Sequence, residues 1–282
     1  MGDEGAAATA SLSVRFWGAR GSIASPGPNT LRYGGNTPCV EVRCGSHHLI
    51  FDAGTGIRAF GNTLAKAKNG DFDIFLSHGH IDHVVGLPFF GPLFVKAQVV
   101  RAWAGSLQQT GGVEEAIRKL MSFPLFPLQI DSLQATLEFH DVHAGDPIEL
   151  PSGLMLHTAP LRHPGGATGY RFDNNGRSVA YITDVEIGDG PIDPALLDLA
   201  KGASLVILDT TYTDEEYLSH AGWGHSTWQQ GIKLADAAGV ERLCLFHHDP
   251  EHDDAFMDQV AGAAAKARPG TIVAAEGMTL NL

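Results

Sequence analysis

Three histidines and one aspartate fall within six residues directly after a short apolar segment, and this placement constrains the fold most. Residues 72–76 are apolar enough to form a buried strand, and ligand sites are commonly built where such strands end. His78 and His80 are two apart, so they can point to the same side of extended backbone. Asp82 and His83 fall in the first turn of a following helix. This set suits two adjacent metal ions, and a polar loop with chance histidines is the alternative.

Apolar runs and turn residues predict strands and helices along the rest of the chain, with no linker and no low-complexity block. Strands are predicted over residues 12–17, 37–44, 47–52, 72–76, 137–139, 148–150, 155–158, 169–172, 178–182, 204–209, 242–246, 271–274 and 278–280. Helices are predicted over residues 55–68, 113–121, 194–200, 226–238 and 251–266, and residues 122–129 form an apolar loop. This order favours an α/β protein of the α+β type, built as a four-layer αββα sandwich. Residues 1–10 are expected to be a flexible tail and residues 11–282 a single domain.

The charge balance limits the partners of the chain. Lys and Arg number 19 against 32 Asp and Glu, a net charge of −13. Long nucleic acid is therefore not expected as a partner, because phosphate contacts need basic side chains. A small phosphorylated ligand is compatible, since bound metal ions bring positive charge.

The cysteines and the N-terminus indicate a cytoplasmic protein without a membrane partner. Cys39, Cys44 and Cys244 have no paired spacing, which favours reduced thiols. Residues 1–10 lack a basic start and a long apolar stretch, and no apolar run is long enough for a membrane span. The oligomeric state stays open, with a homodimer as one option.

The spacing H-x-H-x-D-H at residues 78–83 resembles the metal-binding motif of the metallo-β-lactamase superfamily. The resemblance implies three further ligands in the order His, Asp, His, each at a later strand end. His163, Asp184 and His247 occur in that order after predicted strands. Alone, each is the kind of polar residue that often follows a strand. His248 is the alternative to His247, which is favoured because it comes first after the strand.

The same resemblance implies how the ligands divide between two divalent ions. One ion is expected at His78, His80 and His163, the other at Asp82, His83 and His247, and Asp184 is expected to bridge them. Such a donor set favours Zn²⁺ and permits Mn²⁺ or Fe²⁺. The family's β-lactamases usually have Cys at the position of Asp184, which speaks against a true β-lactamase. Its di-iron relatives have Glu at the position of His80, which speaks against a di-iron protein. The resemblance further implies that Asp52 orients a ligand histidine.

The C-terminal part resembles the tRNA 3′-processing ribonucleases called RNase Z. Gly224-His225-Ser226-Thr227, the following helix and His247 are similar to that family's signature. The resemblance implies that His225 donates a proton to the leaving group and that Asp209 supports it; Asp82 is counted with them as catalytic. A capping or packing histidine is the alternative for His225. Asp209-Thr210-Thr211 departs from the usual Glu-Ala-Thr, which puts the role of the acid in question.

Two further features favour a small phosphodiester over RNA. The sequence has no Gly/Pro-rich insertion with basic flanks that could act as the tRNA-gripping arm of RNase Z. The segments 16–22 and 34–39 are similar to a bacterial branch of predicted phosphodiesterases, some acting on 3′,5′-cyclic nucleotides. The leading hypothesis is therefore hydrolysis of a cyclic-nucleotide-like diester by a hydroxide that bridges two metal ions. The alternatives are an RNA-processing endonuclease, a thioester, lactone or β-lactam hydrolase, and a metal-bound carrier protein.

The residues predicted to bind substrate rest on weaker signals. Arg20 and Asn36 belong to a Gly-rich loop that could face the metals, where Arg20 could hold a phosphate oxygen. His220 and Ser226 are included because they lie close to His225 in the chain. Loop structure and packing are the alternatives for these residues.

Overall fold

The computed structural model describes residues 12–64 and 70–282, whose strands form two sheets of seven strands each. The strands are β1 (Leu12–Gly18), β2 (Cys39–Cys44), β3 (His47–Phe51), β4 (Gly70–Leu76), β5 (Gln98–Ala104), β6 (Thr136–Asp141), β7 (Ile148–Glu149), β8 (Met155–Leu161), β9 (Ala167–Asn174), β10 (Arg177–Ile182), β11 (Leu205–Asp209), β12 (Arg242–Phe246), β13 (Ile272–Val273) and β14 (Thr279–Asn281). The α-helices are α1 (Gly56–Leu64), α2 (Ile81–Val84), α3 (Gly112–Leu120), α4 (Pro194–Ala200), α5 (Asp214–His220), α6 (Trp228–Ala237) and α7 (Asp254–Ala267). Short 3₁₀ turns lie at Leu87–Phe89, Gly91–Phe94, Gln108–Thr110 and Ile130–Ser132.

The two sheets share one plan. The first has the order β14-β1-β2-β3-β4-β5-β6, and the second has the order β13-β12-β11-β10-β9-β8-β7. In the first sheet the pairs from β14 to β3 are antiparallel and those from β3 to β6 are parallel. The second sheet is antiparallel from β7 to β10 and parallel from β10 to β13. Each sheet therefore contains parallel strands whose carboxyl ends can build a common site.

The sheets pack face to face through an aromatic core, and helices cover their outer faces. The rings of Phe51 and Tyr181 lie 5.3 Å apart across the two sheets, and those of Phe75 and Tyr170 lie 5.5 Å apart. The apolar sides of α1 and α3 pack on the first sheet, and those of α4, α6 and α7 pack on the second. The predicted four-layer αββα sandwich is thus confirmed.

Most predicted elements form within a few residues of their expected limits, and apart from the 3₁₀ turns one observed strand and one observed α-helix were not predicted. β5 and α5 had no counterpart in the sequence prediction. The helix expected over residues 55–68 begins at Gly56 and is seen to Leu64, and the rest of it lies outside the described residues, as does the predicted tail at 1–10. α6 begins at Trp228 because Thr227 caps it, in a capping box with Gln230. In the described part of the chain, no helix has the length and apolar character that a membrane span requires.

Candidate metal centre and active site

Side chains from both sheets meet where their strands end. In the first sheet, β4 leads into His78 and His80, and α2 then carries Asp82 and His83. The second sheet contributes one residue after each of β8, β10 and β12. These three residues are His163, Asp184 and His247. The side-chain nitrogen and oxygen atoms of the residues from both sheets form overlapping groups of three, and within each group all atoms lie within 4.8 Å of one another.

The two carboxylate oxygens of Asp184 face different histidines. Its Oδ1 lies 3.8 Å from Nε2 of His78 and 3.6 Å from Nε2 of His163. Its Oδ2 lies 3.2 Å from Nε2 of His83 and 3.4 Å from Nε2 of His247. Asp184 therefore stands between two groups of donors, where a bridging carboxylate is expected.

The remaining donors complete one group on each side of Asp184. Nδ1 of His80 lies 3.1 Å from Nε2 of His163, on the side that also contains His78. Oδ2 of Asp82 lies 3.1 Å from Nε2 of His83 and 3.4 Å from Nε2 of His247. We call His78, His80 and His163 the first triad, and Asp82, His83 and His247 the second triad.

Three residues at the site hold the backbone in the left-handed region. Asp52, Asp184 and His247 have φ values of 60°, 56° and 64°. Asp52 and His247 directly follow β3 and β12, and Asp184 lies two residues after the end of β10. Side chains other than glycine rarely adopt this conformation, although Asp and His tolerate it better than most. Such conformations persist where the surroundings enforce them, and they cluster at functional sites.

Asp52 orients two histidines through a buried hydrogen-bond network. Its Oδ2 lies 2.7 Å from Nδ1 of His83 and also accepts hydrogen bonds from the hydroxyls of Ser77 and Tyr181. Because the Ser77 hydroxyl donates to Asp52, its oxygen is left to accept from Nδ1 of His78 at 3.0 Å. Both rings thus carry their proton on Nδ1 and present Nε2 to the cluster, as metal-binding histidines commonly do.

The second sheet orients its histidines in the same manner. His163 Nδ1 donates to the carbonyl of Gly224 at 2.8 Å. The Thr211 hydroxyl donates to Oδ1 of Asp209 at 2.7 Å, so its oxygen can accept from Nδ1 of His247 at 3.0 Å. The Nε2 atoms of these two rings are therefore also available as ligands.

The unsatisfied atoms of the cluster fit divalent metal ions. Three imidazole nitrogens of the cluster are buried without a hydrogen-bond partner, namely Nε2 of His78, His83 and His247. Burying such atoms costs free energy unless another group binds to them. Burial alone would raise the pKa of Asp184, but the neighbouring His247, His83 and His78 hold it well below its usual range. An ionised carboxylate among imidazole nitrogens is a donor set that such ions take, with release of the protons that those nitrogens carry.

His225 lies beside both triads and is paired with Asp209. Its Nδ1 is 2.8 Å from Oδ2 of Asp209, and its ring centre lies 5.2 Å from that of His163 and 5.0 Å from that of His247. Burial alone would lower the pKa of His225, but the charge and hydrogen bond of Asp209 raise it to about 9. The shorter carboxylate of Asp209 therefore reaches the histidine.

Two residues predicted to bind substrate are placed elsewhere, and those predictions are wrong. Arg20 is fully buried, and its guanidinium donates to the main-chain carbonyls of Gly34, Asp249 and His252. Ser226 is also fully buried, and its hydroxyl donates to the carbonyl of Val185. Both side chains tie distant segments together and offer no surface to a ligand.

The other two predicted substrate-binding residues differ from each other. The amide of Asn36 donates to Oε1 of Glu276 at 2.6 Å, beside a separate pocket that none of the metal-cluster residues lines. His220 stacks on Tyr212 at 4.5 Å, and the Tyr212 ring in turn meets His225 at 5.9 Å. A contact between His220 and a substrate stays a prediction.

The structure places His247, and not His248, in the cluster. His248 is buried, and its Nε2 donates to the carbonyl of Ala274 at 2.8 Å. Burial lowers the pKa of His248 to about 3. Its ring packs against Tyr33 at 6.0 Å instead of facing Asp184.

Glu186 is a site residue that the sequence prediction did not include. Its carboxylate accepts hydrogen bonds from the hydroxyl of Tyr217 at 2.7 Å and from the main-chain N–H groups of Gly222 and Gly224 at 2.9 and 3.0 Å. Gly224 is the residue whose carbonyl orients His163, and it immediately precedes His225. No sequence pattern signals this role, because the partners of Glu186 lie more than thirty positions away.

Together these features define a class of protein. An αββα sandwich with a triad of three histidines, a triad of two histidines and an aspartate, and a shared aspartate at the strand ends has the architecture of the metallo-β-lactamase fold. The family described as "Beta-lactamase superfamily domain" matches residues 47–248. The chain belongs to this family.

Similar proteins include ribonucleases and solved structures of the same fold. Ribonuclease Z of Halobacterium salinarum is 23% identical over 316 residues, covering 90% of this chain and 92% of that protein. The metallo-β-lactamase fold protein YhfI from Bacillus subtilis superposes with a TM-score of 0.70 at 16% identity, covering 97% of this chain and all of that one. A diphosphatase from the PhnP family also superposes with a TM-score of 0.70, at 20% identity over 96% of this chain and 98% of its own. The two superpositions confirm the fold.

Proposed function

We propose that the protein is a metal-dependent phosphodiesterase acting on a small nucleotide-like diester such as a 3′,5′-cyclic nucleotide. The pairing of His225 with Asp209 at 2.8 Å, directly beside both triads, is the observation that supports it most. Cleavage of an alkyl phosphodiester releases an alkoxide, which needs a proton as it departs. A histidine held in its protonated form next to the reacting centre supplies that proton.

The triads would hold two divalent ions, with Asp184 between them. An all-His/Asp donor set favours Zn²⁺ and also accepts Mn²⁺ or Fe²⁺. Two such ions would activate water near neutral pH and offset the negative charge that develops on the phosphoryl group.

The chain's own residues would fix the protonation states that this reaction requires. In the metal-free protein the neighbouring histidines hold the pKa of Asp82 and of Asp184 below its usual range despite burial, so both carboxylates are ionised and available to bind the ions. Asp209 binds Nδ1 of His225, so Nε2 is left as the nitrogen that exchanges a proton with the substrate. Asp52 and Gly224 keep the ring planes of His83 and His163 in place during the cycle.

The comparisons support cleavage of a phosphate bond. A curated relative is named ribonuclease Z, and a solved structure of the same fold is described as a diphosphatase. Both names denote hydrolysis at phosphorus.

An RNA-processing endonuclease is the second candidate, because the alignment with ribonuclease Z spans 90% of this chain. The net charge of −13 opposes it, since binding a long RNA backbone requires a basic surface.

The test is a substrate panel on protein loaded with Zn²⁺ or Mn²⁺ and checked for metal content. We expect hydrolysis of cyclic AMP and of bis-p-nitrophenyl phosphate, and no cleavage of precursor tRNA. Cleavage of precursor tRNA with inert small diesters would establish the second candidate instead. No turnover of any diester by metal-loaded protein would overturn both.

A further inference from the structure

An apolar pocket opens directly beside the first triad. It has a volume of about 430 Å³, and His78 and His80 form part of its wall together with Ile81, Leu107, Leu120 and Leu125. This volume falls within the range of about 300–1,000 Å³ that is usual for small-molecule sites. A larger cavity of 580 Å³ contains none of the metal-cluster residues. The guanidinium of its Arg171 is engaged by Asp173 and by main-chain carbonyls.

Two of the pocket's apolar side chains are unusually exposed for their size. Leu125 is 79% exposed and Ile81 is 58% exposed. Leu125 belongs to the loop that follows α3, where a turn holds it through a hydrogen bond from its N–H to the carbonyl of Ser122. Apolar surface beside a cluster of polar ligands is typical of a site that buries an apolar group of its substrate.

The polar groups of the pocket favour a heteroaromatic ring over an alkyl chain. The hydroxyl of Ser106 donates to the carbonyl of Ser77, and that of Thr110 donates to the carbonyl of Leu107. Each hydroxyl oxygen therefore has lone pairs to accept an N–H from a ligand. Lys119 is the one cation among the lining residues, and its amine lies 3.5 Å from Glu115. The pocket thus suits a neutral ring with N–H donors better than a second phosphate.

The position of the pocket also determines which part of a substrate it would hold. It is lined by His78 and His80, whereas His225 lies beside His163 and His247 and lines no part of it. A group in the pocket would therefore lie beside the first triad and not against His225, the proposed proton donor, and it would stay attached to phosphorus when the leaving group departs.

We propose that this pocket binds the nucleobase of the group that remains on the phosphate, and so selects nucleoside diesters over simple alkyl diesters. The proposal rests on the proposed phosphodiesterase function.

Two substrates that share a leaving group separate the pocket from the chemistry. Thymidine 5′-(p-nitrophenyl phosphate) and methyl p-nitrophenyl phosphate both release p-nitrophenolate, and only the first carries a base. We expect kcat/KM to be at least about tenfold higher for the thymidine diester, as burial of a ring against leucines implies. Leu125→Ser should reduce this preference severalfold through KM. The matched control is Leu218→Ser, since Leu218 on α5 is 85% exposed and lines none of this pocket.

Saturation-transfer NMR with adenosine on metal-free protein provides a readout that needs no catalysis. We expect transfer to the H2 and H8 ring protons in the wild type and in Leu218→Ser, and its loss in Leu125→Ser. Equal kcat/KM for both diesters, together with unchanged transfer in Leu125→Ser, would overturn the pocket proposal while leaving phosphodiesterase activity intact. Turnover of neither diester, with transfer still dependent on Leu125, would overturn the proposed function and keep the base-binding pocket.

Discussion

Nδ1 of His225 lies 2.8 Å from Oδ2 of Asp209, so one nitrogen of the imidazole is fixed and the other is free to exchange a proton. Asp209 is itself held, because Thr211 donates to its Oδ1 through both its main-chain N–H and its hydroxyl. The pair therefore has one orientation beside the triads. A proton donor of this kind should matter in proportion to how much the leaving group needs a proton.

The effect of His225→Ala should depend on the leaving group. We expect the hydrolysis rate of cyclic AMP to fall by about 10²–10⁴-fold, because its alkoxide leaving group loses its proton donor. Hydrolysis of bis-p-nitrophenyl phosphate should fall far less, since p-nitrophenolate leaves as a stable anion. Steady-state rates at equal metal content provide the measurement, and His143→Ala, at an exposed histidine, is the control. Equal losses on both substrates would remove His225 from the role of proton donor.

Asp209→Asn should lower the pKa of His225 in metal-free protein. Burial lowers this pKa, and the charge and hydrogen bond of Asp209 contribute most to raising it to about 9. Without that anion, the lowering effect of burial is opposed only by the smaller effects of Asp184 and Asp82. In the wild type, the protonated histidine stabilises the fold fully below its unfolded pKa of about 6.5, and that contribution is lost as the pH rises towards 9. NMR titration of the ring protons, with thermal unfolding at pH 6 and pH 9.5, measures both effects. An unshifted titration in Asp209→Asn would contradict the assignment.

Glu186→Gln should loosen the segment that positions His163 and His225. A glutamine amide has one acceptor oxygen where the carboxylate has two, so the N–H groups of Gly222 and Gly224 cannot both be satisfied. We expect faster amide hydrogen exchange at both glycines and a metal affinity reduced by about 10-fold or more, the usual cost of losing a group that supports a metal ligand.

Glu215→Gln is the matched control for this variant, because Glu215 is exposed on α5. If Glu186→Gln has the same amide exchange rates and the same metal affinity as the wild type, the carboxylate of Glu186 has no positioning role.

Asp52→Asn should weaken metal binding while the left-handed turn after β3 is kept, although one of the two oxygens that accept from Ser77 and His83 becomes an NH₂ group. Asn tolerates the left-handed conformation that Asp52 adopts, with φ of 60°, so the turn after β3 is kept. The hydrogen bond to Nδ1 of His83 changes from charged to neutral, and we expect a loss of about 10–100-fold in metal affinity. Competition with a chelator measures this, with Asp131→Asn at an exposed position as control. Unchanged affinity would contradict the orienting role.

The sequence predicts which His and Asp residues come together, because they follow apolar runs that can be recognised locally. The strand β5 was not predicted, because its residues do not form an uninterrupted apolar run. It is buried along most of its length yet contains Arg101, which interrupts the apolar pattern. Arg101 is tolerated because Asp73 and Glu138 lie opposite it on the adjacent strands β4 and β6. Such partners become neighbours only when the sheet has formed.

The helix α5 was missed although its signal is present. Thr213 and Glu216 form a capping box at its start, a pattern that can be recognised three residues apart. The wrong predictions for Arg20 and Ser226 have a different origin. Their partners are carbonyl groups far along the chain, for example that of His252 for Arg20, and no local pattern reveals them.

Each triad draws its members from both halves of the molecule. His78 and His80 come from the first sheet and need His163 from the second, and Asp82 and His83 likewise need His247. A cation bound to either triad would therefore link the two sheets. Neither half of the chain, produced separately, would possess a complete coordination site, so the catalytic centre can exist only after the two halves have docked.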